Sequence, residues 1–311
     1  MRVFALELNN DIRGITERQA YIEGLIAQLP KQDADELQEP DMVVLPELSL
    51  CAFIPNQYIW QYADEKGKTT TEWALRMATK YNIYLGVGYA DREGRDFYNR
   101  YMIVGPKGVC GAATQSEGVS AVFKRGNFKN TIVTPFGKVG VAIGYDIRRE
   151  LFYEGVKDES ISMILVPSAS PDDPKKIEQE RKQNDLRCSL YVSAFDVPVV
   201  YVNSTGALDE YPGKVGAKMM ERGYRLNGLS RIYASDAAPV ETGIPEAIGA
   251  EVKVHSKRRI KDIPFYGGYL TPGHALYRAI TLKREALWAV KYYGKNRIPA
   301  IERITGEKMT E

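Results

Sequence analysis

Short apolar runs and stretches of helical spacing interleave along the chain. Val3 to Leu8 reads as a strand, and Met42 to Leu45 is a continuous apolar run of the kind found in strands covered on both faces. Between them Ile15, Tyr21, Ile22, Leu25, Ile26 and Leu29 recur at helical spacing, and Pro30 closes the pattern. Thr71 to Tyr81 predicts a second helix, with Thr71 as its cap and Trp73, Leu75, Met77 and Ala78 among its apolar positions. Ile83 to Tyr89 and Phe97 to Val104 read as a hairpin turned at Asp91 to Gly94. Further strands are predicted at Ala121 to Lys124, Lys138 to Ile143, Ser162 to Pro167, Pro198 to Asn203, Leu229 to Ala234 and Ala247 to Val254. Helices are predicted at Arg148 to Lys157 and Asp173 to Phe195. Interleaved helices and strands with hairpins among them predict an α/β fold with mixed sheets, not a purely parallel one. Residues 1–256 read as one domain. Residues 257–311 read as a C-terminal extension that packs on the body or on a partner subunit, and its runs Phe265 to Tyr269 and Tyr292 to Lys295 set aromatic beside glycine and basic residues.

Composition narrows the function classes. The 311 residues are 44% apolar and 26% charged, enough for a well-buried core. A formal net charge of +2, from 42 basic and 40 acidic residues, lacks the basic excess of a nucleic-acid or membrane-surface protein. Lys257, Arg258 and Arg259 read as a solvated face. No apolar stretch approaches the ~20 residues that span a bilayer. Cys51, Cys110 and Cys188 are odd in number and widely spaced, which fits neither a disulfide framework nor a zinc site, so a reducing cytoplasm is expected. The two histidines, His255 and His274, lie outside every motif, which argues against imidazole-based chemistry. No metal or cofactor motif is present.

The candidate chemistry centres on Lys138 to Asp146, an apolar strand that runs into a tight turn and then a helix. A nucleophile elbow is built this way, with a reactive side chain presented on the bend. Here the bend carries Gly144, which has no side chain. Two other segments join it: Val43-Val44-Leu45-Pro46-Glu47, a buried strand ending at a carboxylate, and Val122-Phe123-Lys124, a run ending in a lysine. Cys51, four residues after Glu47, and Cys188 in the middle of a predicted helix read as small buried hydrophobes rather than replacement nucleophiles. Asp146 reads as a helix-start residue.

With these three segments in order, the chain resembles the nitrilase, or carbon-nitrogen hydrolase, superfamily, whose members carry Pro-Glu after an early strand, Lys after a middle strand and Cys-Tyr-Asp at the elbow. The resemblance runs from Met1 to roughly Val240. Met163 to Ser168, Val197 to Gly206 and Gly228 to Ile232 are similar to later strands of that family, and Asp209-Glu210 leans toward its glutaminase-like, amidase branch. The resemblance implies a four-layer α-β-β-α sandwich and a homodimer or larger assembly. It implies Glu47 as general base, Lys124 as oxyanion partner, Tyr145 as the backbone oxyanion donor and Gly144 at the position of the cysteine. The segment from Lys124 to Gly144 is shorter than the family's and lacks its second glutamate. Glu47 and Lys124 are also expected to persist as a buried ion pair. The expected function is a non-catalytic binding or interaction subunit for a small amide-like ligand. The alternatives are an amidase with its cysteine exchanged for glycine, and an enzyme that uses Glu47 and Lys124 to assist water attack on an amide or nitrile.

Overall fold

The computed structural model describes residues 1–31, 40–272 and 283–308. In chain order the strands are β1 (Arg2–Leu6), β2 (Asp41–Val44), β3 (Asp64–Glu65), β4 (Ile83–Glu93), β5 (Asp96–Gly105), β6 (Gly108–Thr114), β7 (Thr131–Thr134), β8 (Gly137–Val141), β9 (Ile161–Pro167), β10 (Pro171–Asp172), β11 (Val199–Val202), β12 (Thr205–Gly206), β13 (Arg225–Asn227), β14 (Arg231–Tyr233), β15 (Ala238–Val240) and β16 (Ala247–Glu251). The α-helices are α1 (Ile15–Gln28), α2 (Lys68–Tyr81), α3 (Glu150–Val156), α4 (Ile177–Phe195), α5 (Gly213–Glu221) and α6 (Lys283–Thr305).

Side-chain alternation along the strands builds four layers. In the first sheet, ordered β15-β16-β1-β2-β4-β5-β6 with β3 paired to β4, Phe4 and Val43 face one way and Val3, Ala5, Met42 and Val44 the other. Phe4 and Val43 pack against Ile22 and Ile26 of α1 and Trp73 and Met77 of α2. Val3, Ala5, Met42 and Val44 pack against Val139, Val141, Met163, Leu165, Val200 and Val202 of the second sheet, ordered β14-β11-β9-β8-β7. The outer face of that sheet, with Ile164, Val166 and Val199, is covered by Phe152 of α3 and Tyr191 and Phe195 of α4. Helix, sheet, sheet and helix therefore stack as expected, and β2 is apolar from Met42 to Val44 because both its faces are covered. Both sheets are mixed: β1, β2 and β4 run parallel, as do β8, β9 and β11, while β4 to β6 form an antiparallel meander.

Several elements differ from the sequence pattern. Ala121 to Lys124 is not a strand. Val122 and Phe123 both donate locally to Val119 O, the Lys124 amide donates to Phe97 O at 2.8 Å, and the Val122 carbonyl accepts the buried Trp60 indole N–H at 2.7 Å. The third strand of the meander is instead β6, whose Gly-Val-Cys-Gly-Ala-Ala-Thr has no strong apolar alternation. The predicted helix Arg148 to Lys157 begins earlier, as a 3-10 turn over Gly144–Arg148, and breaks before α3. Gly67 rather than Thr71 caps α2.

Described residues of the extension contact the body. Lys257 exchanges backbone hydrogen bonds with Ile161, and Ile263 and Leu270 join the α3–α4 core. Helix α6 sends Tyr293, Ala300 and Ile301 into a cluster with Trp60, Phe97 and Val122. The Tyr293 hydroxyl accepts the Phe97 amide at 2.9 Å and donates to Asp96 at 3.1 Å.

Candidate functional site

The carboxyl ends of β2, β8 and β9 converge, the usual place for a site in an α/β sheet. The chain leaving β2 delivers Glu47, only 4% exposed. The chain leaving β8 delivers Gly144, at a φ of +54° that glycine adopts without strain. The chain leaving β9 delivers the Ala169 amide, which donates to Glu47 Oε2 at 3.0 Å. Glu47 Oε1 accepts from Asn99 Nδ2 at 2.6 Å and from Gln115 Nε2 at 2.9 Å. Burial pushes the Glu47 carboxyl up to about 7, against the opposing pull of these three donors.

Glu47 and Gly144 are brought into contact. A Cβ placed on Gly144 would stand 2.6 Å from Glu47 Oε2 and 2.9 Å from Gln115 Nε2. Lys124 is not brought to them. Its ammonium pairs with Asp96 at 2.7 Å, its side chain is 52% exposed, and the expected Glu47–Lys124 ion pair is not formed. The reason is local: with Ala121 to Lys124 folded as a turn pinned to Trp60, the lysine projects outward beside the Tyr98 ring.

Gln115 and Asn99 occupy the space around Glu47 where a cation was expected. Gln115 follows β6, and its backbone amide donates to Asn99 O at 2.9 Å, extending the β5–β6 pairing by one residue. Its side-chain amide bridges Glu47, Asn99 and the Ile143 carbonyl at 2.9, 3.0 and 3.2 Å, so it spans base and elbow. Sequence reasoning missed Gln115 because β6 carries little apolar signal, and Asn99 because it is a polar position within a strand read only as a strand. The hairpin partner of the Asn99 position was the available clue. The segment from Gln115 to the elbow includes Glu117.

The residues after the elbow hold this arrangement. Asp146, fully buried, accepts from the Ser116 and Glu117 amides at 3.1 and 2.6 Å and from Asn130 Nδ2 at 3.3 Å, tying the loop after Gln115 to the elbow. Burial pushes its carboxyl up to about 8 against these amides, with Glu47 and Glu117 adding to the rise. Tyr145 turns its ring into open space, with the Arg148 guanidinium 4.0 Å from its centre. Arg148 lies 3.5 Å from Glu180, which Arg187 binds more closely at 2.7 Å. Cys51 and Cys188 are buried, and burial pushes their thiols up to about 11 and about 12, so neither is a ready nucleophile. His274 lies outside the described residues, and His255 is not among the residues that line the site.

Above Glu47, Gln115 and Gly144 opens a cleft of about 1200 Å³. Phe53, Tyr145, Tyr211, Tyr224 and Trp288 contribute rings to its walls. Among the described residues no group of acidic, histidine or cysteine side chains is arranged to hold a metal ion.

A family model described as carbon-nitrogen hydrolase matches residues 21–247. Among solved structures, the carbon-nitrogen hydrolase from Helicobacter pylori G27 superposes with a TM-score of 0.63 at 14% identity, covering 80% of this chain and 88% of that one. An amidase from Nesterenkonia sp. gives 0.61 at 15% identity, covering 81% and 90%. A Saccharomyces cerevisiae member of branch 10 of the nitrilase superfamily gives 0.57 at 19% identity, covering 80% and 89%. These likenesses are of fold. A variant of the Nesterenkonia amidase shows the product of Michael addition of acrylamide at its active site cysteine. No curated protein matches the chain in sequence.

Proposed function

Since the chain belongs to the carbon-nitrogen hydrolase family, we propose that it keeps an amide-binding cleft without the covalent chemistry, and serves as a binding or interaction subunit. One observation carries this reading: Glu47 faces an elbow residue that has no side chain, and its described hydrogen-bond partners are all neutral amides. Gly144 offers no thiol, and Lys124 is turned away to Asp96, so the Tyr145 backbone N–H is the remaining oxyanion donor of the expected set. Loss of a nucleophile alone lowers turnover by roughly six orders of magnitude in a well-studied hydrolase. Loss of one oxyanion donor costs roughly 10²–10³. The same floor suits recognition of a carboxamide: Glu47 Oε2, which accepts from the Ala169 amide, keeps acceptor capacity for a ligand N–H, while both Gln115 amide protons are held by Glu47 and the Ile143 carbonyl.

The test is ammonia release from small amides and nitriles by the purified protein. Rates near the ~10 s⁻¹ typical of enzymes would refute the reading. A second reading is favoured by the Glu47 carboxyl lying at about 7, where a general base for water attack works best. On that reading any turnover found vanishes in Glu47→Gln. If instead Gly144 replaces a cysteine in an otherwise working amidase, Gly144→Cys alone restores hydrolysis.

The assembly we expect is a homodimer through α3 and α4, where Leu151 and Leu186 are exposed. Light scattering on the eluted protein distinguishes this from a monomer. A cytoplasmic setting accords with the absence of disulfides among the three cysteines. No helix among the described residues is long and apolar enough to cross a membrane.

A further inference from the structure

The cleft has two chemically different halves. Its floor is Glu47, Gln115 and the Gly144 backbone. Its outer wall includes α5 and α6, where Val215 and Met219 of one and Trp288 and Ala289 of the other meet. Trp288 is held there by a close approach that needs glycine. At Gly213, with φ +83°, a Cβ would lie 3.1 Å from the indole ring and 2.5 Å from Glu285 Oε2. The indole thus rests against the start of α5, yet the residue stays 39% exposed while lining the cleft. Tyr211 lines the same cleft: its ring is 6.4 Å from that of Phe53, and burial raises its hydroxyl well above the ordinary tyrosine value, helped by Glu47 and Tyr145. Phe53, Tyr211 and Trp288 thus line the same cleft as the Glu47 carboxyl.

At about 1200 Å³ the space exceeds the ~300–1,000 Å³ of most small-molecule pockets and is far more than a two- or three-carbon amide fills. Apolar wall with a few polar groups at one end suits a ligand of the same build. We propose that the cleft takes an aromatic carboxamide, with its amide on Glu47 and its ring among Tyr211, Met219 and Trp288. This rests on the amide-binding reading of the floor and adds the ring-binding role of α5 and α6. The chain's own C-terminal helix is thereby a specificity element.

Trp288 supplies the readout. Of the three tryptophans, Trp60 and Trp73 are 1% and 2% exposed in the core, so a ligand-dependent change in indole emission reports on Trp288. Benzamide, acetamide and benzyl alcohol are titrated into the full chain, followed by fluorescence and by calorimetry. Benzamide is expected to shift the emission and to bind at least about tenfold more tightly than acetamide, given that stacking and ring burial both add to its affinity. In Trp288→Ala, followed by calorimetry, that preference falls to about twofold while acetamide binding is unchanged. Trp288→Phe retains most of it, which separates ring contact from a folding defect. Equal affinity for benzamide and acetamide, or a preference unaffected in Trp288→Ala, overturns the ring assignment and leaves the amide reading standing. Benzyl alcohol binding as well as benzamide overturns the amide reading. No binding of any probe at about 10 mM overturns both.

Discussion

Gly144→Ala is the most direct probe of how the elbow is built. The change adds one methyl group to a turn at φ +54°. An L-residue in that left-handed region costs roughly 1–2 kcal/mol. The methyl also arrives 2.6 Å from Glu47 Oε2 and 2.9 Å from Gln115 Nε2, so at least one must move. Ends of flexible side chains usually yield cheaply, but this carboxyl is buried and held by three donors. Moving it breaks or stretches at least one of those bonds with no water to replace it, at roughly 1–3 kcal/mol. The sum is a loss of about 2–5 kcal/mol. With an unfolding entropy near 2.1 cal/mol/K per residue over a chain of this length, each kcal/mol lowers Tm by roughly 1.5 °C. A drop of about 3–8 °C by calorimetry is therefore expected, with the same folded circular-dichroism spectrum. A Gly144→Ala protein as stable as the parent would mean that the space beside Glu47 is free, and the reasoning about a closed elbow would fail.

Other outcomes follow from the same geometry. The Glu47 carboxyl is raised from 4.5 to about 7, so the folded state holds its proton more tightly than the unfolded chain. Its contribution is complete below about pH 4.5 and is lost as pH rises toward 7, by roughly 3 kcal/mol at most. Glu47→Gln should flatten that part of the stability profile in urea titrations run from pH 4.5 to 7.5, and an unchanged slope refutes the assignment. Lys124→Ala removes an exposed ion pair with Asp96 and should cost under about 1 kcal/mol, with no change in amide binding; weaker binding by calorimetry would return the lysine to the site. The double variant Gln115→Lys with Gly144→Cys supplies both an ammonium and a thiol beside Glu47. It should release more ammonia from amides than either single variant, and equal rates in all three would show that the floor lacks a productive geometry.

The layers were legible where burial imposes a pattern. Val3 to Leu8, Met42 to Leu45 and Ser162 to Pro167 announce themselves because strands covered on both faces are dominated by apolar residues. Glu47 and Gly144 were legible because each directly follows such a strand, which fixes where it emerges. Gln115 was not: it follows a strand rich in glycine and alanine that leaves no periodicity to read, while Asn99 sits inside a predicted strand with nothing in the pattern to mark it. Lys124 misled for the complementary reason. Ala121, Val122 and Phe123 are buried like strand residues, but their burial comes from packing against Trp60 and Tyr293, contacts remote in sequence. Helix α6 was read only as an extension, since its hydrophobic residues are divided between the body, the cleft and solvent.

Because Tyr293 clasps the Phe97 amide while Trp288, a little over one turn away, borders the cavity, lip and base of the binding chamber are encoded far apart in the gene. Substitutions that widen or narrow the lip can then accumulate without disturbing the residues at the base. Such a division would let descendants of this chain change their choice of guest while the inner architecture stays fixed.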